Sequence, residues 1–195
     1  MTLEGGCLLR FVVGCDLEEF KRYRWKLAGD EDWRCIDGFS EELGEEWEKR
    51  LTENPSLLIV WRLDGKIVGH AIWHESSTEE HRKSDARDKD DREILERLAG
   101  WKKDCIELHE IWLRKEYRRK GHGKRFFEFF EDFMRSKGYD RIVYYADHPA
   151  AITICRQRGY REEYWKEKNE HVFYLQLSST SHETAEKRHD MGAWQ

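Results

Sequence analysis

No apolar run in this chain approaches the ~18–20 residues that a membrane-spanning helix requires. No basic stretch leading into an apolar segment marks a secretory signal at the N-terminus. Membrane insertion and export are therefore not expected. No CxxC pair is present. The five cysteines, Cys7, Cys15, Cys35, Cys105 and Cys155, are odd in number and scattered, which argues against a disulfide framework or a zinc ribbon. Reduced thiols and a cytoplasmic location are the expectation. Positive charge is not in excess either: 35 Lys and Arg stand against 40 Asp and Glu, a formal net charge of -5. Basic residues must therefore be read region by region, and nucleic acid is not an expected partner of the chain as a whole. No internal repeat is found.

What the chain does hold is charge and aromatic bulk. Charged residues make up 38%, against roughly 25% in a typical domain, so the shell is heavily charged. Nine Trp, eight Tyr and nine Phe supply the apolar area that a disordered chain lacks. With 195 residues, a single domain can bury a sizeable core.

Apolar spacing places the elements. Leu8 to Val13 reads as a strand. Asp16 and Glu19 have capping-box spacing ahead of Leu17, Phe20, Tyr23 and Leu27 at helical intervals. Ser40 to Leu51 predicts a second helix with Leu43, Trp47 and Leu51 on one stripe, ended by Asn54-Pro55. Ser56 to Leu63 and Ile67 to Trp73 form strands around the hairpin signal Asp64-Gly65. Residues 75–103 read as a polar insertion: a loop over Ser76 to Asp91, then a short helix on Ile94, Leu95, Leu98 and Trp101. Cys105 to Leu113 is a central strand, and Phe126, Phe127, Phe130, Phe133 and Met134 mark an amphipathic helix ending near Gly138. Arg141 to Tyr145 is a strand, and Pro149 suits the first position of a helix running to Gly159. Tyr160 to Trp165 and His171 to Leu177 make a last hairpin. The order is β-α-α-β-β-(insertion)-β-α-β-α-β-β, a layered α/β sheet in one domain over 1–177, with a polar tail over 178–195.

The chemistry concentrates after the central strand, at Arg118-Arg119-Lys120-Gly121-His122-Gly123. A helix beginning there leaves backbone N–H groups without partners and adds the positive end of its dipole. Glycine lets a ligand approach the backbone closely. The combination is a cradle for a pyrophosphate, with Lys120, Lys124 and Arg125 adding charge. A Walker A loop fits poorly, because Lys124 is followed by Arg125, and so does a Rossmann fingerprint, because position 126 is Phe.

On these residues the chain resembles the GCN5-related N-acetyltransferase (GNAT) superfamily, whose mark is Arg/Gln-x-x-Gly-x-Gly/Ala between a strand and a helix. Asp64-Gly65-Lys66-Ile67-Val68-Gly69 is similar to that family's second hairpin, and Ala151 to Tyr160 to its fourth helix and the turn after it. The resemblance covers roughly residues 8 to 177. It implies a mixed, mostly antiparallel sheet flanked by helices, with acetyl-CoA as co-substrate. Pantetheine would lie where the fourth strand splays from the fifth, bonded by backbone groups of Ile111 and Leu113. Amides of about Arg119 to Lys124, thus including Lys120, Gly121, His122 and Gly123, would hold the pyrophosphate below Arg118, and Ile152 would flank the thioester. His148 would cap the fourth helix or touch pantetheine. Glu107 is the first candidate for the base that deprotonates an amine. Glu110 is the second, because a bulge can swap which face a residue presents. Where many members carry an acidic Tyr, this chain has Cys155. Cys155 itself, Tyr144, Tyr145, Tyr164 or water would then reprotonate the CoA thiolate, and a core role for Cys155 competes with this.

His70 and His74 share a strand face, but with His109 they lack a further ligand at diagnostic spacing, so no metal is expected. Residues 16 to 53 hold thirteen Asp or Glu against seven Lys or Arg, which favours a cationic amine acceptor or is an ordinary solvated face. Trp25, Trp33, Trp47 and Trp73 form either a cage for that cation or core. A homodimer is left open. Two rival readings stand beside an active N-acetyltransferase: a non-catalytic acyl-CoA-binding module, and a nucleic-acid-binding module using the basic residues from Arg114 to Arg125.

Overall fold

Seven strands assemble in the order β1-β2-β3-β4-β5-β7-β6 in the computed structural model of the protein, which describes residues 9–27, 43–77, 88–100 and 104–177. The strands are β1 (Arg10–Val13), β2 (Leu58–Leu63), β3 (Lys66–Ser77), β4 (Asp104–Leu113), β5 (Arg141–Ala146), β6 (Arg161–Trp165) and β7 (Glu170–Gln176). Every neighbouring pair is antiparallel except β4 and β5. The helices are α1 (Leu17–Leu27), α2 (Glu45–Glu53), α3 (Asp88–Ala99), α4 (His122–Ser136) and α5 (Pro149–Gln157). This is the expected mixed, mostly antiparallel sheet flanked by helices.

The helices sort to two faces because their apolar stripes do. On α4 and α5, Phe126, Phe127, Phe130, Met134, Ile152 and Cys155 pack against one face, on Trp61, Trp73, Ile106 and Leu108. Each large side chain fully buried there contributes about 1.5–3 kcal/mol relative to exposure. On the other face α1 and α2 lay Phe20, Tyr23, Leu27 and Leu51 over Leu58, Val60, Ile72 and Trp112. Helix α3 extends that second layer, setting Ile94, Leu95 and Leu98 on Val143, Val172, Tyr174 and Trp165. Local signals hold as read: Asp16 Oδ1 accepts from the Glu19 amide at 2.8 Å, and Asp64 and Gly65 both take positive φ in the β2–β3 turn.

Three boundaries differ from expectation. Helix α2 begins at Glu45 with Gly44 as its cap, and Ser40 to Glu42 lie outside the described residues. Strand β3 runs on through Ser77, because Ser76 and Ser77 still pair with Cys105 and Asp104. Helix α3 starts at Asp88, inside the segment read as loop. Buried Asp91 anchors it by accepting from the Tyr145 hydroxyl at 2.7 Å. Trp101 and the 178–195 tail lie outside the described residues. Among the described residues no helix is long and apolar enough to cross a membrane.

At Gly69 two strands meet too closely for a side chain: a Cβ there would sit 2.7 Å from the Trp112 carbonyl oxygen and 3.1 Å from Trp61. The carbonyl is backbone and cannot swing aside. Gly69→Ala is therefore expected to cost about 1–3 kcal/mol, the range for overpacking, read as a lower midpoint in urea denaturation.

Candidate active site

Strand β4 carries one residue more than β3 can pair. Trp73 faces Leu108 and Ile72 faces Glu110, so His109 is left over as a bulge. Before it, the even positions Ile106 and Leu108 enter the α4-side core. After it, Trp112 enters the α1-side core, while Ile111 and Leu113 pack on the α4 side. The slip thus brings both Glu107 and Glu110 to the α1/α2 face of the sheet. The ladder to β5 also ends here: Ile106, Glu107 and Leu108 pair with Ile142, Val143 and Tyr144. Beyond that point β4 and β5 run unpaired with each other, which is the splay expected between the fourth and fifth strands.

The two carboxylates meet different surroundings. Glu110 is sealed beneath α1, where Arg24 Nη1 donates to its Oε1 at 2.7 Å and His70 Nε2 meets the same oxygen. Phe20 and Tyr23 close over His70 at ring separations of 5.1 and 5.5 Å. Burial alone would raise the Glu110 carboxyl, but His70 and Arg24 outweigh it and hold it below the usual range. Burial lowers His70, with Glu110 only partly opposing.

Glu107 is less enclosed. His74, its cross-strand partner, places Nε2 3.5 Å from Oε2, and His109 places Nδ1 3.6 Å from Oε1. Burial pushes the Glu107 carboxyl up, but the adjacent His109 and His74 outweigh it and hold it well below the carboxylate range. Burial disfavours a charged His74, yet Glu107 raises it above its ordinary value. Trp47 of α2 roofs the group, stacked on His109 at 4.7 Å and edge-on to His74 at 5.6 Å.

The glycine turn lies at the far end of β4. Gly121 caps α4 at φ 76°, and no side chain caps this helix start. A Cβ at Gly123 would meet Ile154 of α5 at 3.0 Å. The turn is electropositive: burial first, then the charges of Arg125 and Lys120, push His122 down. Several basic side chains serve the fold. Arg118 Nε donates to the Leu113 carbonyl at 2.7 Å and its guanidinium lies 4.6 Å over Trp112. Arg114 pairs with Glu116 at 2.7 Å, and Arg125 reaches the Leu9 carbonyl at 3.4 Å. His148 caps α5, its Nδ1 accepting from the Ala150 amide at 3.2 Å.

Of the candidate acids, Cys155 is fully buried in the α4-side core, its thiol pushed up to about 12 by burial and then by Glu131 and Glu162. Tyr144 is buried on that same face against Phe127, and burial drives its hydroxyl far above its ordinary value. Neither reaches the Glu107 face. The four tryptophans do not form one cage: Trp73 sits in the opposite core, Trp25 is exposed, and Trp33 is outside the described residues. Sequence reading missed Arg24, His74 and Trp47 as partners of the two carboxylates. Cross-strand register is the signal that pairs His74 with Glu107, and the bulge hides it.

A family profile described as the Acetyltransferase (GNAT) family matches residues 25–160. No curated protein sequence matches the chain. Among solved structures, an agmatine N-acetyltransferase is similar at TM-score 0.61 and 15% identity, over 87% of this chain and 99% of that one. A Drosophila melanogaster polyamine N-acetyltransferase is similar at TM-score 0.61 and 14% identity, over 86% and 100%. A chain of the NatC complex bound to Gag peptide and CoA is similar at TM-score 0.53 and 15% identity, over 87% and 99%.

Arg24→Met would leave Glu110 buried with one partner fewer. Breaking such a pair is expected to destabilise the fold by about 3 kcal/mol, measured as the loss of unfolding free energy in guanidinium.

Proposed function

The chain belongs to the acetyltransferase (GNAT) family and is an acyltransferase, and on that premise we propose that it moves an acetyl group from acetyl-CoA to a primary amine by direct attack. The observation that carries this reading is the helix start at Gly121, uncapped by any side chain among the described residues, next to the stretch of β4 that has no β5 partner. Amides from about Arg119 to Lys124 hold the pyrophosphate, with Lys120 and Lys124 nearby. Pantetheine runs along the open side of β4 at Ile111, and Ile152 of α5 flanks the thioester. The Leu113 carbonyl is already taken by Arg118, so Ile111 is the better amide partner.

The amine enters over the α1/α2 face, toward Glu107. A lysine-like amine has a pKa of ~10.4 in water and must lose a proton before it attacks. Glu107, ionised and held low, attracts the ammonium by charge, and the proton leaves through a water chain ordered beside it. The neutral nitrogen attacks the thioester carbonyl, a backbone N–H of β4 steadies the oxyanion, and the C–S bond breaks. Because Cys155 and Tyr144 face the other core, the departing thiolate takes its proton from water. Glu110 is tied to Arg24 and His70 and serves as the buried support of this face. A cationic acceptor is favoured by the acidic balance of residues 16 to 53, and agmatine and polyamine enzymes are among the similar structures. Much of the acidic charge is nonetheless paired, as in Glu48–Lys21 and Glu19–Arg62.

Acetyl-CoA is expected to raise the melting temperature by mass action. Gly121→Glu, which sets a carboxylate at the phosphate cradle, is expected to weaken that binding at least about tenfold. Acetyl-CoA consumption with polyamines, lysine and aminoglycosides then separates an enzyme from a non-catalytic acyl-CoA-binding module, which would show the shift without turnover. Glu107→Gln is expected to lower kcat/KM by about 10²-fold, the lower end of what a group assisting proton transfer contributes, with the acetyl-CoA shift retained.

A further inference from the structure

We propose that His74, Glu107 and His109 form a binding site for a divalent transition-metal ion of the zinc class on the acceptor face of the sheet. Among the described residues they are the one group of three metal-ligating side chains whose donor atoms all lie within 4.8 Å of one another. The two imidazole–carboxylate separations, 3.5 and 3.6 Å, exceed the 2.7–3.2 Å of a well-formed hydrogen bond. They lie near the roughly 3.3–3.4 Å that separates donors around a tetrahedral ion with bonds of about 2.0–2.1 Å.

The tautomer is also set. His74 Nδ1 lies 2.9 Å from the Glu75 carbonyl, which can only accept, so Nδ1 carries the proton and Nε2 is the nitrogen turned toward Glu107. A backbone carbonyl on the far nitrogen is the usual support of a metal-bound histidine. The ligands stand on two paired strands, and His109 joins them only because the bulge frees it from the ladder. Trp47 orients both rings. The His109 side chain is 40% exposed, which leaves a way in and a fourth position for water, as in open three-ligand sites. Two imidazoles and one carboxylate suit zinc, iron(II) or nickel better than magnesium or calcium. The nearest opposing cation, Arg50 over the Trp47 ring, is paired with Glu46 at 2.7 Å. An ion here would occupy the carboxylate that receives the amine. Zinc should therefore inhibit transfer. That last consequence rests on the proposed function; the site itself does not.

The test uses the full chain without an affinity tag, cleared of metal by a chelator and titrated with zinc chloride against a chromophoric indicator. One ion per chain is expected, bound at least about tenfold, or 1.4 kcal/mol, more weakly by His109→Ala and by His74→Ala. Cobalt(II) should give visible d–d bands without a thiolate charge-transfer band. His109 is exposed, so its variant keeps the fold and decides the matter alone if His74→Ala does not fold. Absence of saturable binding, affinity unchanged in His109→Ala, or a thiolate band placing the ion on a cysteine would each overturn the site. The acetyl-CoA thermal shift of His109→Ala is read in parallel and should match the parent. Its loss in both proteins would overturn the acetyl-CoA reading and leave the metal result standing.

Discussion

One extra residue in β4 sets the geometry of this protein. A strand presents alternate residues to opposite faces, so in a regular β4 Glu107 and Glu110 would point to opposite sides of the sheet. The slip at His109 cancels the alternation once and brings both to the face covered by α1 and α2. The same irregularity coincides with the end of pairing to β5. A local departure from the ladder therefore accompanies the end of the β4–β5 pairing and decides the face on which both carboxylates lie. Since the residues on either side remain locked to β3, the departure is held rather than loose.

The two carboxylates show how environment divides their roles. Glu110 is enclosed with an arginine and a histidine, and a buried charge is tolerated only when so paired. It fixes α1 to β4 through Arg24 and is buried. Glu107 is flanked by two imidazoles and roofed by one indole. Its charge is supported, yet His109 keeps one side open. Two glutamates three positions apart thus come to lie in different surroundings, because α1 covers one and not the other.

Much of the scaffold was legible in the sequence. The glycine turn, the α4 phenylalanines, the Asp64-Gly65 hairpin and Pro149 each depend on contacts within a few residues, and local rules read them correctly. The start of α3 at Asp88 was not legible, because what anchors Asp91 is Tyr145, far along the chain. The placement of Cys155 in the core was half visible, since a small buried cysteine was already the competing reading, whereas that of Tyr144 was not. Least visible was the company of Glu107: His74 depends on cross-strand register, His109 on a bulge, and Trp47 on how α2 docks.

That contrast follows from what each half of the site is made of. On the proposed function the cofactor half is backbone: a helix start and an unpaired strand edge, which many side chains permit and which a short glycine motif announces. On the proposed reading the acceptor half is side chains drawn from α2, β3 and β4, which the strand ladders do not dictate. Structures only about 15% identical to this chain share its architecture. A histidine pair beside the carboxylate belongs to this second, variable half. On the proposed function it is here, rather than in the phosphate cradle, that the particular chemistry of this chain resides.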